Sequence, residues 1–292
     1  MVLVLILYAV LATTFIFAKK AVALAHPCFL VGVRMLLAAA LILGYYAFTQ
    51  RKALVIAKKD YWLFFRVALF HIYITFIFDL WSLQYITALK STLIFSTTPF
   101  IAAILAYMLL RERLSLKKVF GIIIGVGGLA PIIISQVGDQ VAFQELAYIS
   151  LPEVVLFGAV ISGAYAWFLV KQLMDRGYGF GVVNGYAMLI GGLMSLITSF
   201  VVEGFAAPVS DIPSFIGWLL LLVLSANIIF YNLYGYLLQR YSITFITFAG
   251  WLCPCFGTIY EWAFMGGTIT WHYLVSLIFV SIGLYVFHQE EL

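Results

Sequence analysis

Charge is what this sequence has least of. Asp, Glu, Lys and Arg make up 10% of its 292 residues, whereas a soluble domain carries about 25%. That deficit excludes an ordinary water-solvated globule. The excess of base over acid, 16 against 12, is scattered over short loops and builds no basic face for nucleic acid. Cysteine is nearly missing as well. Cys28, Cys253 and Cys255 are the three present. Cys253-Pro254-Cys255 is not a zinc spacing, so neither a disulfide framework nor a metal knuckle is expected, and the three read as buried free thiols. His26, His71, His272 and His288 have no ligand partners nearby in sequence. No GxSxG, HExxH, P-loop or paired-Asp motif of a prenyl-transfer type occurs. The chain is therefore read as a protein without catalytic centre, metal or cofactor. A membrane-embedded enzyme and a non-transporting scaffold or receptor are the rival classes.

What is abundant is apolar surface. The hydrophobic share is 65%, with 17% aromatic. A spanning helix needs about 20 mostly apolar residues, so ten spans use about 200 residues and leave only short connections. The predicted spans are 2–24, 28–48, 61–86, 89–110, 119–136, 154–172, 181–202, 214–237, 243–265 and 271–288. Val141–Leu151 is moderately apolar but holds Gln144 and Glu145, an interfacial composition; Pro152 then suits the first turn of a helix. Met1–Ala25 has the length of a signal peptide. It lacks a basic start, and Lys19 and Lys20 follow its apolar run, so it reads as the first span.

Loop charge is one-sided. Arg51, Lys52, Lys58 and Lys59 lie between spans 2 and 3, and Arg111, Arg113, Lys117 and Lys118 between spans 4 and 5. Lys171, Arg176 and Arg240 follow spans 6 and 8. The loops after spans 5, 7 and 9 hold no Lys or Arg. The positive-inside rule then puts both termini in the cytoplasm.

The chain also repeats itself. Pro99 maps to Pro254, an offset of 155 (254 − 99), and the same offset takes Leu83-Gln84 to Leu238-Gln239 and Gly128-Leu129 to Gly283-Leu284. A gap-free echo over about 45 residues points to duplication of half the chain. It divides into 1–137, a loop at 138–153, and 154–292. Five spans per unit is an odd number, so tandem copies lie inverted in the bilayer, the plan of many secondary transporters.

Pro99, then Arg111-Glu112-Arg113-Leu114-Ser115, Lys117-Lys118, and Gly121, Gly125 and Gly128 form a pattern that resembles the EamA repeat of the drug/metabolite transporter superfamily. Leu83–Ala88, Pro27 and Arg34 add to the likeness. The second copy departs from the pattern, with Gly267 where the first has Glu112 and Ser276 where it has Gly121. The resemblance implies an all-α integral membrane protein of ten transmembrane helices in two inverted five-helix EamA-like repeats. It also implies alternating access driven by a gradient or by exchange.

Charges inside a bilayer are costly, about 2.5–3.5 kcal/mol each on insertion scales, so those present are paired or functional. The candidates are Lys19, Lys20, Arg34, Arg66, Asp79, Lys90 and Glu261; Arg66 is near enough to one end to snorkel. Thr244, Thr247, Trp251, Pro254, Thr258 and Glu261 follow helical spacing and share one face. That stripe suits an aqueous cavity, or equally hydrogen bonds between helices. Span 3 offers His71, Thr75, Phe78, Asp79 and Ser82. Asp79 either pairs with Lys90 or receives a cationic group of a substrate. Thr92, Ser96 and Pro99 occupy the positions equivalent to Thr247, Trp251 and Pro254. Span 8 adds Asn227, Tyr231 and Tyr234; span 6 adds Ser162, Tyr165 and Trp167. Pro99 and Pro254 are candidate hinges, because each removes a backbone bond in mid-span. Gly121, Gly125, Gly127 and Gly128 suit close helix packing. The central site is expected among spans 1, 3, 4, 6, 8 and 9.

Paired carboxylates, lysines and many aromatic rings suit a small zwitterionic or cationic metabolite carrying an aromatic ring. The chain is similar to S-adenosylmethionine carriers within the superfamily, which exchange that compound for S-adenosylhomocysteine. The alternative is an exporter of aromatic or other neutral amino acids. Beyond a small molecule and the lipid bilayer no partner is expected, and the sequence leaves monomer and homodimer both open.

Overall fold

The computed structural model describes residues 2–82, 84–86, 91, 94–111, 115–136, 149–204, 209–265 and 271–289, without the side chains of 129, 132–136, 258, 261, 264, 265, 273 and 274. Among the described residues the helices group into ten rods: α1 (Val2–Val22), α2 (Pro27–Thr49), α3 (61–82), α4 (Thr98–Leu110), α5 (Leu116–Gln136), α6 (Leu151–Asp175), α7 (Phe180–Glu203), α8 (Ile212–Leu237), α9 (243–265) and α10 (Trp271–His288). Six of them, α1, α2, α3, α6, α7 and α8, are long and apolar enough to cross a membrane; Thr98–Leu110, Ile243–Gly257 and Val275–His288 are shorter apolar helices. Large side chains such as Phe15, Phe48, Ile104 and Ile197 are exposed, which suits lipid contact. The protein is an all-α membrane protein.

Local chemistry sets the helix ends. Pro27 opens α2, and the Glu203 carboxylate at the end of α7 accepts from the amides of Cys28 at 2.7 Å and Phe29 at 3.0 Å. An anion at a helix N-terminus satisfies orphan donors and opposes the macrodipole. Ser150 and Glu153 form a capping box on α6, with Pro152 in its first turn. That helix starts at Leu151, earlier than the sequence suggested. Ser242 caps α9. Arg111 ends α4 in the left-handed region, φ 58°.

Packing follows the repeat. The most extensive contacts join α5 to α10 and α2 to α7, each helix meeting its counterpart. Likewise α1 packs on α8 and α9, while α6 packs on α3 and α4. Two further features recur at the 155-residue offset. A π-helical stretch widens α3 at Ala68–Ile74 and α8 at Val223–Phe230. A broken turn interrupts α9 between Ala249 and Leu252, and turn residues 96–97 precede α4. The prolines explain the breaks: Pro254 and Pro99 have no N–H for the carbonyls of Gly250 and Phe95 four residues back, and their rings crowd those carbonyls.

The α5–α10 seam is built on small residues. A Cβ on Gly121 would lie 2.9 Å from the Gly283 carbonyl oxygen, and one on Gly283 would lie 2.6 Å from that of Gly121. Gly128 meets α10 and Gly125 meets Phe248 and Trp251. Gly127 has nothing within 4 Å, so close packing does not account for it.

Candidate functional site

The π-widened helices α3 and α8 carry several of the buried polar groups. Widening α3 frees the Phe70 carbonyl, which accepts from Thr75 Oγ1 at 2.6 Å and from Ser162 Oγ of α6 at 2.8 Å. π turns cluster at functional sites because they turn side chains out of register. Here His71 and Asp79 of α3 share a core with Asn227, Tyr231 and Tyr234 of α8.

Arg34 is the centre of that core. It lies in α2, is only 8% exposed, and donates through Nε to Asn227 Oδ1 at 2.7 Å. Its guanidinium lies over the Phe76 ring, 5.2 Å from the centroid. Asn227 is fixed in turn, its Nδ2 directed at the sulfurs of Met35 at 3.3 Å and Met188 at 3.6 Å. Asp79 interacts electrostatically with Arg34, yet its Oδ1 is buried without a hydrogen-bond partner. Among the described residues no ion pair within 4.0 Å joins them. Opposite charges therefore face one shared core without neutralising each other by contact.

Aromatic rings continue the site. Trp167 of α6 stacks on Tyr234, with centroids 3.7 Å apart and planes at 14°. His71 stands edge-on to Trp167 at 4.5 Å and to Tyr231 at 5.3 Å. Phe180, at the start of α7, lies parallel to Trp167 at 6.5 Å. The hydroxyl of Tyr234 and Nε2 of His71 are buried without partners. Such groups each cost about 1–3 kcal/mol when left unsatisfied, so several in one core mark a place kept for something polar.

A second locus lies where the broken turns meet. Trp251 Nε1 donates to the Ser96 carbonyl at 3.0 Å, joining residues that occupy equivalent positions in the two repeats. Phe100 and Phe248 flank the indole at 6.1 and 4.7 Å. Tyr8 of α1 packs at the broken turn of α9: its hydroxyl donates to the Ile246 carbonyl, and its ring lies beside Gly250.

The structure thus brings Asp79, Asn227, Tyr231 and Trp167 together, and places Trp251 and Ser96 beside one another. Thr247 bonds to carbonyls of its own helix, those of Ile243 and Thr244. Thr75 and Phe78 turn toward α6, packed against Gly163 and Gly158. Tyr165 bonds to Arg66, which gives that arginine a partner within the bundle. Lys90 lies outside the described residues, as do the side chains of Thr258 and Glu261. Arg34, His71, Tyr234, Phe180 and Asn184 complete the buried set. Arg34, His71 and Tyr234 stand out in the sequence as polar residues in apolar spans. Asn184 is also a polar residue in an apolar span, but its burial and lack of partners do not show in the sequence, and Phe180 is one of 26 phenylalanines. Cys28 and Cys253 are half-buried and Cys255 is buried, all as free thiols. Among the described residues no three His, Cys, Asp or Glu side chains form a metal-ligand set.

Comparison with known proteins agrees with this architecture. An S-adenosylmethionine/S-adenosylhomocysteine transporter of Chlamydia trachomatis serovar L2 is 28% identical over 284 residues, covering 96% of this chain and 86% of that protein. One of the same description from Chlamydia muridarum is 28% identical, covering 96% and 88%. The uncharacterized transporter YetK of Bacillus subtilis is 25% identical over 165 residues, covering 56% of this chain and 49% of its own. A crystal structure aligns with 97% of this chain and 93% of its own at TM-score 0.74 and 16% identity, a likeness of fold alone. The EamA-like transporter family profile matches twice, at residues 1–134 and 151–288. Covering both halves of the bundle, that double match means that the chain belongs to the EamA-like transporter family.

Proposed function

We propose that this transporter exchanges S-adenosylmethionine for S-adenosylhomocysteine across a bacterial inner membrane by alternating access, with both termini cytoplasmic and no enzymatic step. One observation carries the reading. Arg34 and Asp79 present opposite charges to one buried core without contacting each other. An amino-acid head group has the matching pair, its carboxylate for the guanidinium and its ammonium for Asp79. Bidentate carboxylate recognition is what arginine geometry favours. The rings of Trp167, Tyr231 and Tyr234 then suit the rest of the molecule, since aromatic faces attract a sulfonium as they do other cations. The names of the chlamydial relatives support this substrate pair.

Truncating one partner of a buried charge pair between protein and ligand costs about 2–5 kcal/mol, roughly a 30-fold or greater loss in affinity. Proteoliposomes preloaded with S-adenosylhomocysteine should take up labelled S-adenosylmethionine, and empty ones should not. Asp79→Asn and Arg34→Gln should each abolish that uptake while the purified protein stays monodisperse. Uptake of tyrosine or phenylalanine with none of S-adenosylmethionine would replace this substrate by the aromatic amino acids.

A further inference from the structure

Asn184 is unlike every other residue of its helix. It is 2% exposed, and both amide atoms, Oδ1 and Nδ2, are buried without a hydrogen-bond partner. Buried amides almost always find partners, so this one calls for an explanation. Phe180, Asn184 and Met188 recur every fourth residue and share one stripe of α7. Phe180 lies parallel to Trp167 and is pressed against Gly235 of α8. Met188 meets the Asn227 amide. The stripe therefore runs from the aromatic cluster to the Arg34 core, with Asn184 between them. His71 Nε2 and the Tyr234 hydroxyl border the same indole, also unpartnered. Three helices thus carry unsatisfied buried polar groups, two of them on rings that touch one indole and the third, Asn184, on the stripe that leads to it.

We propose that this is a base-reading subsite, and that Asn184 is its specificity-determining residue. A purine with an amino group at position 6 lies against Trp167 in place of the Tyr234 ring. Asn184 Oδ1 accepts from the amino group, and Nδ2 donates to the neighbouring ring nitrogen. This two-bond pairing is the one by which asparagine reads adenine elsewhere. His71 Nε2, edge-on to the same indole, serves the remaining edge. The placement fits the length of the molecule: from Asp79 back to His71 is eight residues along α3, about 12 Å, which a thioether arm and a ribose bridge. The inference rests on the proposed S-adenosyl substrate and adds to it which residue tells adenine from other bases.

The test measures binding to the full-length protein in detergent by calorimetry, with S-adenosylhomocysteine and with its inosine analogue, in which oxygen replaces the amino group. The native protein should prefer the adenine compound about 10-fold or more, and Asn184→Leu should weaken that compound by about 10- to 100-fold and erase the preference. Asn184→Asp, nearly the same shape, keeps the acceptor and loses the donor, so it should weaken binding while still favouring the amino group; it also serves if the leucine variant fails to fold. Equal native affinity for both compounds overturns the subsite and leaves the transport reading standing. So does a folded Asn184→Leu with affinity and preference unchanged, which would mean that the amide holds buried water only. Failure of the native protein to bind any S-adenosyl compound overturns both.

Discussion

The α5–α10 seam and the α3–α8 core are each built around the repeat, and they solve opposite problems. Along the seam Gly121 and Gly283 bring backbone against backbone. In the core the helices widen, charges are buried and polar atoms are left without partners. Lipid tails are as apolar as leucine, so tight contact rather than hydrophobic exclusion holds membrane helices together. Contact without polarity gives a scaffold. Polarity without satisfaction gives a place where a polar ligand improves the energy of the protein that binds it.

The comparison breaks most sharply at the seam. Gly283→Leu drives a side chain into the Gly121 backbone and should destabilise by about 3 kcal/mol or more. It is expected to lose the monodisperse species in size-exclusion chromatography, whereas Asp79→Asn should not. A middle-sized effect belongs to the prolines. Restoring the backbone bond with Pro99→Ala and Pro254→Ala together should slow exchange about 10-fold while substrate affinity holds, because the substitutions stiffen the broken turns without touching the Arg34 core. Unchanged turnover in proteoliposomes would remove these turns from the mechanism. The smallest effect is expected at Trp251→Phe, which deletes one hydrogen bond to the Ser96 carbonyl and leaves a smaller aromatic ring in place of the indole. A loss of about 0.5–1.5 kcal/mol is ordinary for one bond, a shift of a few degrees in melting temperature, and a larger one would make that contact part of the core rather than of the scaffold.

Much of the fold was legible because hydropathy reports lipid directly and the 155-residue echo reports symmetry. Helix starts such as Leu151 were less so, since a capping box reaches back beyond the apolar run. The site divides the same way. Asp79, Asn227, Tyr231 and Trp167 can be picked out as polar or aromatic positions in apolar spans, and they meet in space. Arg34 and His71 are visible as residues but not as partners, because local spacing does not say which helix faces which. Thr75 and Phe78 show the limit plainly: one lies a turn before Asp79 and the other next to it, yet both face α6. Asn184 has no periodic companion of its own kind, so only its burial reveals it.

The helix pair α2–α7 is fastened at both ends. Glu203 holds the first amides of α2 at one end, and at the other Tyr186 donates to the Leu54 carbonyl while Tyr46 fills the notch at Gly181. Arg34 rides on one member of that pair and Asn184 on the other. The fastening predicts one fixed distance between these two residues, like marks on a ruler that gauge the length of a cargo, and spin labels on α2 and α7 with and without substrate would check it.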